Sequence, residues 1–292
     1  MLLPRFEYHE PGTVRSACRL LHELGGEAKA LAGGTDLLVN MKKGLIRPSH
    51  LVSLEKIAPL RRMETHKKGL TLGAMARVAA LAEWEGLNGW ASALREGAMS
   101  LGTPLVRNRA TLAGNLVTAR PAADLPPPLM VLGARVLLRD IGGERELMLE
   151  DFFLGPGDTA IRPGEILGAV RIDAPPPLTG SAYIKMGTRR TLEIALVNVA
   201  AALTLEAVDG PIARARVAIG AVGPVPLRAG SAEACLMGNR PSESLFAEAG
   251  RAAAQDARPI DDHRGSAEYR LWIVETLVRR ALSLAYARAM GR

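Results

Sequence analysis

From Thr13 onward, apolar residues recur at helical spacing at Val14, Ala17, Cys18, Leu21 and Leu24, and Gly25-Gly26 closes the run, so the pattern predicts an amphipathic helix. A short strand, Ala28 to Ala32, then carries the chain into Gly33-Gly34. The helix expected after it runs to Gly44, with Thr35 or Asp36 placed to cap its first turn and Lys42 and Lys43 at its negative end; Leu45 to Leu54 reads as the next strand. Arg61 to Glu64 and Leu70 to Leu72 predict two strands joined by a turn at Lys67-Lys68-Gly69, and Ala76 to Trp84 and Trp90 to Leu101 predict helices. Pro126-Pro127-Pro128 opens a helix that ends at Gly133. Arg135 to Arg139, Glu146 to Leu149 and, past a turn at Pro163-Gly164, Glu165 to Ile172 read as sheet strands.

Pro175-Pro176-Pro177 is the clearest linker. Beyond it, Ala182 to Met186, Ile194 to Leu205 and Ala213 to Ala221 predict a three-stranded antiparallel meander, followed by helices over Ala229 to Met237, Ser242 to Asp256 and Ala267 to Met290. Tyr269, Trp272, Ile273, Thr276, Leu277, Ala281 and Leu284 are expected on one core-facing side of the last helix. The expected architecture is α+β, with an N-terminal α/β unit over residues 1–55, an α+β unit over 56–174 and a C-terminal unit over 178–292.

A chain of 292 residues with 48% hydrophobic residues can bury a substantial core. The N-terminal residues lack the long apolar segment of a secretion signal, and the longest apolar stretch, near Ile194 to Leu205, is broken by Asn198 and too short for a membrane span. These features predict a cytoplasmic protein. The net charge of +7 is spread along the chain and aromatic residues are only 4%, which argues against nucleic-acid binding. Cys18 and Cys235 are two thiols where an iron–sulfur cluster needs four ligands, and Cys18 falls on an apolar helix face. The histidines, His9, His22, His50, His66 and His263, form no cluster in the sequence, and no catalytic acid–base set or metal-ligand set stands out.

Two stretches depart from ordinary patterning. In Leu31-Ala32-Gly33-Gly34-Thr35-Asp36-Leu37-Leu38, paired glycines precede a helix, where free N–H groups and the dipole favour a phosphate. In residues 107–124, small residues, amides and hydroxyls crowd together around Ala110, Thr111, Gly114, Asn115 and Thr118 and continue to Asp124 before a proline cluster. A loop that turns a corner and a loop that receives a ligand both fit that composition. Neither stretch has G-x-G-x-x-G spacing, and no G-x-x-x-x-G-K-[ST] occurs, so a dinucleotide would be held in another way.

Ala32-Gly33-Gly34-Thr35-Asp36-Leu37-Leu38 and Thr111-Leu112-Ala113-Gly114-Asn115 through Asp124 resemble the paired pyrophosphate loops of the FAD-binding medium subunits of the molybdenum hydroxylase family, the carbon monoxide dehydrogenase and xanthine dehydrogenase type. Two more blocks match in order: Asp151 to Thr159 continuing through Pro163 to Leu167, and Lys185-Met186 with Arg189-Arg190 through Ile194 to Val199. The resemblance implies a two-subdomain FAD-binding fold of the vanillyl-alcohol-oxidase-like (PCMH) type, followed by a carbon monoxide dehydrogenase flavoprotein C-terminal domain. It implies FAD as cofactor, with Ala32 to Asp36 and Thr111 to Asn115 at the pyrophosphate, Ala30, Leu31 and Ala110 among the cofactor-binding residues, and Thr118 and Asp124 at ribose or ribityl hydroxyls. Leu101 and Gly102 are implied in the cofactor groove, Ile166 and Leu167 near the isoalloxazine, and Lys185 beside the ring. The partners implied are a two-iron iron–sulfur small subunit and a molybdopterin large subunit, in a heterotrimer or its dimer, with NAD+, a quinone or another soluble acceptor. The alternatives are a free-standing FAD-dependent oxidase or dehydrogenase, and a non-catalytic assembly protein that has lost the flavin.

Overall fold

The computed structural model describes residues 2–189 and 193–291; Arg190, in the fourth matching block, lies outside the described residues. Three short strands open the chain as a parallel sheet in the order Glu7–His9, His50–Ser53, Ala28–Leu31. The first helix, Val14–Leu24, forms as expected, with Thr13 and Ser16 in a reciprocal capping box and Ala17, Cys18 and Leu21 buried. Only His50–Ser53 of the expected Leu45 to Leu54 strand is a strand. Pro48 has no N–H to give to a ladder.

The second sheet has five antiparallel strands in the order Met63–His66, Gly69–Gly73, Ile166–Asp173, Arg135–Arg139, Glu144–Met148. The strand at its centre thus comes last in sequence, and Ile166 and Leu167 sit beside a bulge at Gly168. Ser92–Ser100 packs on strand Thr179–Met186 and the wholly buried Pro126–Val131 on strands Val197–Leu205 and Ile212–Gly220, all of the C-terminal sheet, while Val78–Glu83 packs against Ser92–Ser100. One apolar core runs continuously from Ala17 and Val52 of the first unit to Val136 and Val170 of the second.

The C-terminal sheet corrects one expectation. It has four strands, Thr179–Met186, Val197–Leu205, Ile212–Gly220 and Leu227–Arg228, all antiparallel. The fourth is two residues long and follows Pro224 and Pro226, so it carries no alternation to detect. Every residue of Val197–Leu205 is buried. Helices Ala267–Ala289 and Pro126–Val131 both contact that strand, which accounts for its continuous apolar run.

The last helix, Ala267–Ala289, buries Ile273, Val274, Leu277, Val278, Ala281 and Ala285. Tyr269, Trp272 and Leu284, expected on that face, are 43%, 60% and 43% exposed. The helix lies in the angle between the sheet and helix Glu243–Asp256, so its buried arc is turned toward Ala281 and Ala285. Gly180 and Gly250 mark where it comes closest, since a Cβ there would stand 2.2 Å from the Ala285 carbonyl oxygen and 2.5 Å from that of Glu275.

Candidate functional site

The strand Ala28–Leu31 is followed by Ala32, and the chain turns through Gly33 and Gly34 into helix Leu37–Lys42. Gly34 adopts φ +78, a left-handed backbone that glycine takes without strain. The backbone N–H groups of Gly33, Gly34, Thr35, Asp36 and Leu37 donate to no acceptor among the described residues. Asp36 is the N-cap residue, yet neither it nor Thr35 caps the first turn through its side chain. An N-cap side chain would have consumed an N–H; here the row stays available to a ligand.

These residues line a cavity of about 650 Å³, within the usual size of cofactor clefts. The second stretch reaches the same cavity through Thr111, Ala113, Gly114, Val117, Thr118 and Arg120. The two stretches touch: a Cβ on Gly33 would lie 2.1 Å from the Arg109 carbonyl oxygen and 3.1 Å from the Ala110 Cα. Arg77 fastens the contact, one guanidinium nitrogen donating to the Arg109 carbonyl and another to Glu55 at 2.7 Å.

The second stretch is not the open loop that its composition predicts. Leu112–Val117 is a helix, capped by the Thr111 hydroxyl, which accepts the Gly114 N–H at 3.1 Å. The N–H groups of Leu112 and Ala113 donate to the carbonyls of Ala76 and Ala74. This half of the wall therefore offers side chains and close packing, and among Leu112, Ala113 and Gly114 no N–H is left for an anion. The Thr118 hydroxyl donates to the Gly114 carbonyl at 2.6 Å, so toward a ligand it acts as an acceptor.

A further part of the wall is Gly157, Ile161, Arg162, Pro163 and Gly164, leading into Ile166 and Leu167. Glu165 fixes this loop. It is 8% exposed, receives two hydrogen bonds from Arg145 at 2.7 and 2.8 Å, and accepts the Arg162 N–H at 2.7 Å. The bidentate Arg145 guanidinium holds the Glu165 carboxyl below the ordinary range. Lys29, Arg120 and Arg162 add positive charge around the cavity. Gly157 and Pro163 to Leu167 fall within the third block of the resemblance, whereas nothing in the sequence points to Lys29, Asn40 and Ile46 as cavity wall.

Of the expected contact residues, Ala30, Ala32, Gly33, Gly34, Thr35, Asp36, Thr111, Gly114, Thr118, Ile166 and Leu167 line the cavity; Leu31, Leu101, Gly102, Ala110, Asn115, Asp124 and Lys185 do not. Asp124, expected at a ligand hydroxyl, has both oxygens engaged inside the protein: Oδ1 accepts from the Tyr183 hydroxyl at 2.7 Å and Oδ2 from the Lys185 ammonium at 2.9 Å. Lys185 also donates to the Ser100 carbonyl at 3.1 Å. Burial pushes the Asp124 carboxyl upward against the pull of Lys185 and Tyr183, and burial raises the Tyr183 hydroxyl well above its ordinary range. The Asn115 amide oxygen accepts the Leu125 N–H at 3.3 Å, which shapes the same segment. These residues brace the C-terminal sheet against the loop behind the cavity.

His9 and His50 correct the expectation that the histidines stay apart: their ring nitrogens lie 3.1 Å from each other across two paired strands. The cavity wall itself contains no histidine, cysteine or tyrosine among the described residues. Cys18 is fully buried, its thiol donating to the Arg139 carbonyl. No helix among the described residues is long and apolar enough to cross a membrane.

Comparison with known proteins covers nearly the whole chain. The family model for the FAD binding domain in molybdopterin dehydrogenase matches residues 4–175, and that for the CO dehydrogenase flavoprotein C-terminal domain matches residues 182–285. The chain is 32% identical to the carbon monoxide dehydrogenase medium chain of Hydrogenophaga pseudoflava, over 99% of each. It is 31% identical to a xanthine dehydrogenase FAD-binding subunit of Escherichia coli, over 98% of this chain and 97% of that one. Among solved structures, carbon monoxide dehydrogenase from Hydrogenophaga pseudoflava superposes with a TM-score of 0.94 at 33% identity, over 99% of each chain. Quinoline 2-oxidoreductase from Pseudomonas putida 86 gives 0.92 at 28% identity, over 99% of this chain and 100% of that one.

Proposed function

Because the chain belongs to the family of FAD-binding medium subunits of molybdenum hydroxylases, an FAD-dependent oxidoreductase component, we propose that it receives electrons from an iron–sulfur partner and delivers them to an external acceptor. The observation that carries this reading is the row of unshared N–H groups from Gly33 to Leu37, set on a cavity of about 650 Å³. When bound, FAD supplies the capacity to collect electrons one at a time and release them as a pair.

The residues fit that cofactor. The N–H row suits the two negative charges of a pyrophosphate, with Lys29, Arg120 and Arg162 adding longer-range attraction. Thr118 faces the cavity as an acceptor for a ribityl or ribose hydroxyl, and Ile166, Leu167 and Leu54 give an apolar wall for a ring. Glu165 is neutralised by Arg145, so its charge does not oppose the phosphates. These side chains bind and orient the cofactor.

The partners proposed are a two-iron small subunit and a molybdopterin large subunit, together with a soluble acceptor; that several relatives are named medium chains supports an assembly of several subunits. The test is to purify the chain with and without these partners and follow flavin absorbance after adding the substrate of the complex. Bleaching is expected only when the iron–sulfur subunit is present. Bleaching of the isolated chain by the same substrate would contradict the relay and favour a free-standing oxidase, and a colourless chain that FAD cannot reconstitute would favour a non-catalytic assembly protein.

A further inference from the structure

The register of the N-terminal sheet gathers a set of side chains that the flavin cavity does not use. In the parallel pair, Glu7 stands opposite His50 and His9 opposite Val52, so Glu7, His9 and His50 project to one face of the sheet. His9 Nε2 lies 3.1 Å from His50 Nδ1, and Glu7 Oε2 lies 3.4 Å from His50 Nδ1 and 3.9 Å from His9 Nε2. Four ligands held tetrahedrally at 2.0–2.1 Å from a zinc ion stand about 3.4 Å from one another. The three separations bracket that edge length, so an ion fits with small side-chain adjustments. Both imidazoles remain reachable, with side chains 26% and 21% exposed, and Glu7 is open to solvent.

We infer that Glu7, His9 and His50 form a Zn2+ site with two nitrogen ligands and one oxygen ligand. No fourth histidine, cysteine or carboxylate joins the group among the described residues, so water completes the tetrahedron. Two imidazoles disfavour calcium and magnesium, which take oxygen ligands, and suit zinc. Binding requires the lone pairs of His9 Nε2 and His50 Nδ1, so any proton shared between these atoms moves to the other ring nitrogens or to solvent. The ion fastens the outermost strand, Glu7–His9, which has only three residues of ladder, to the central strand of its sheet.

The site is tested on the untagged full-length chain, stripped of metal and titrated with Zn2+ by calorimetry. One ion per chain is expected to bind in the low micromolar range or tighter. The thermal unfolding midpoint should rise by about 5 °C when free Zn2+ is 100-fold above Kd. His9→Gln and His50→Gln should each abolish saturable binding, the exposed Glu7→Gln should weaken it at least about tenfold, and His66→Gln, in the five-stranded sheet, should leave it unchanged. Circular dichroism establishes that each variant is folded. Failure of the parent chain to take up one equivalent, or equal uptake by the folded His9→Gln/His50→Gln double variant, would overturn the site. Neither result bears on the flavin assignment, because none of the three residues lines the cavity.

Discussion

Glu165 shows how one side chain sets part of the cavity wall through bonds inside the protein. Paired with Arg145 and accepting the Arg162 N–H, it pins the loop that carries Pro163 and Gly164. Its folded carboxyl titrates below an unfolded glutamate, whose value is about 4.3. Above the unfolded value both states are ionised and the pairing stabilises the fold in full. As pH falls through the lower folded value the contribution disappears. Glu165→Gln is therefore expected to cost about 1–3 kcal/mol at neutral pH, with the gap to the parent protein closing below about pH 4; urea unfolding at pH 7 and pH 3.5 measures it. Such roles were not legible in the sequence: Glu165 is one of 30 acidic residues, and its partner stands 20 positions away.

At the scale of elements, the site depends on two stretches meeting backbone to backbone. The glycine pair was legible because it precedes a helix, and the prediction of unshared N–H groups there follows from helix geometry alone. The second stretch was legible as unusual but not as a helix, because Leu112–Val117 is six residues long and holds its N–H groups through contacts with Ala74 and Ala76, thirty-odd positions earlier. A methyl on Gly33 must push these elements apart, since it would sit 2.1 Å from the Arg109 carbonyl oxygen. Gly33→Ala is expected to weaken FAD binding at least tenfold, roughly 1.4 kcal/mol, and to lower stability by about 1–3 kcal/mol. Gly12→Ala, with nothing within 4 Å of the added methyl, should match the parent in both fluorescence-monitored FAD titration and unfolding.

At the scale of the whole molecule, the C-terminal sheet is locked to the cavity-bearing part by buried polar contacts. Ser181 bonds to the Trp90 carbonyl and the Ala93 N–H, Asn198 donates to the Ala123 carbonyl, and Asp124 holds Tyr183 and Lys185. Removing one charge of the buried pair strands the other. Lys185→Met is expected to destabilise by about 3–5 kcal/mol, and the double variant Asp124→Asn/Lys185→Met by less than the single one. Equal losses in a denaturant series would show that the stranded carboxylate is not the cause. Lys185 and Asp124 thus support the site from behind, through the segment that carries Thr118 and Arg120 to the cavity.

The sequence by itself determined the long helices, most strands of the second and third sheets, and the glycine turn whose N–H groups stay unshared, because these follow from periodicity, capping and backbone freedom within a short window. Tertiary structure alone decided what each polar residue does. It turned Asp124 and Lys185 toward each other, brought His9 to His50, added the two-residue fourth strand and rotated Tyr269 and Trp272 outward. Those outcomes depend on which distant surfaces pack together, and a side chain's partner is fixed only once desolvation forces each buried charge and each buried N–H to find its complement.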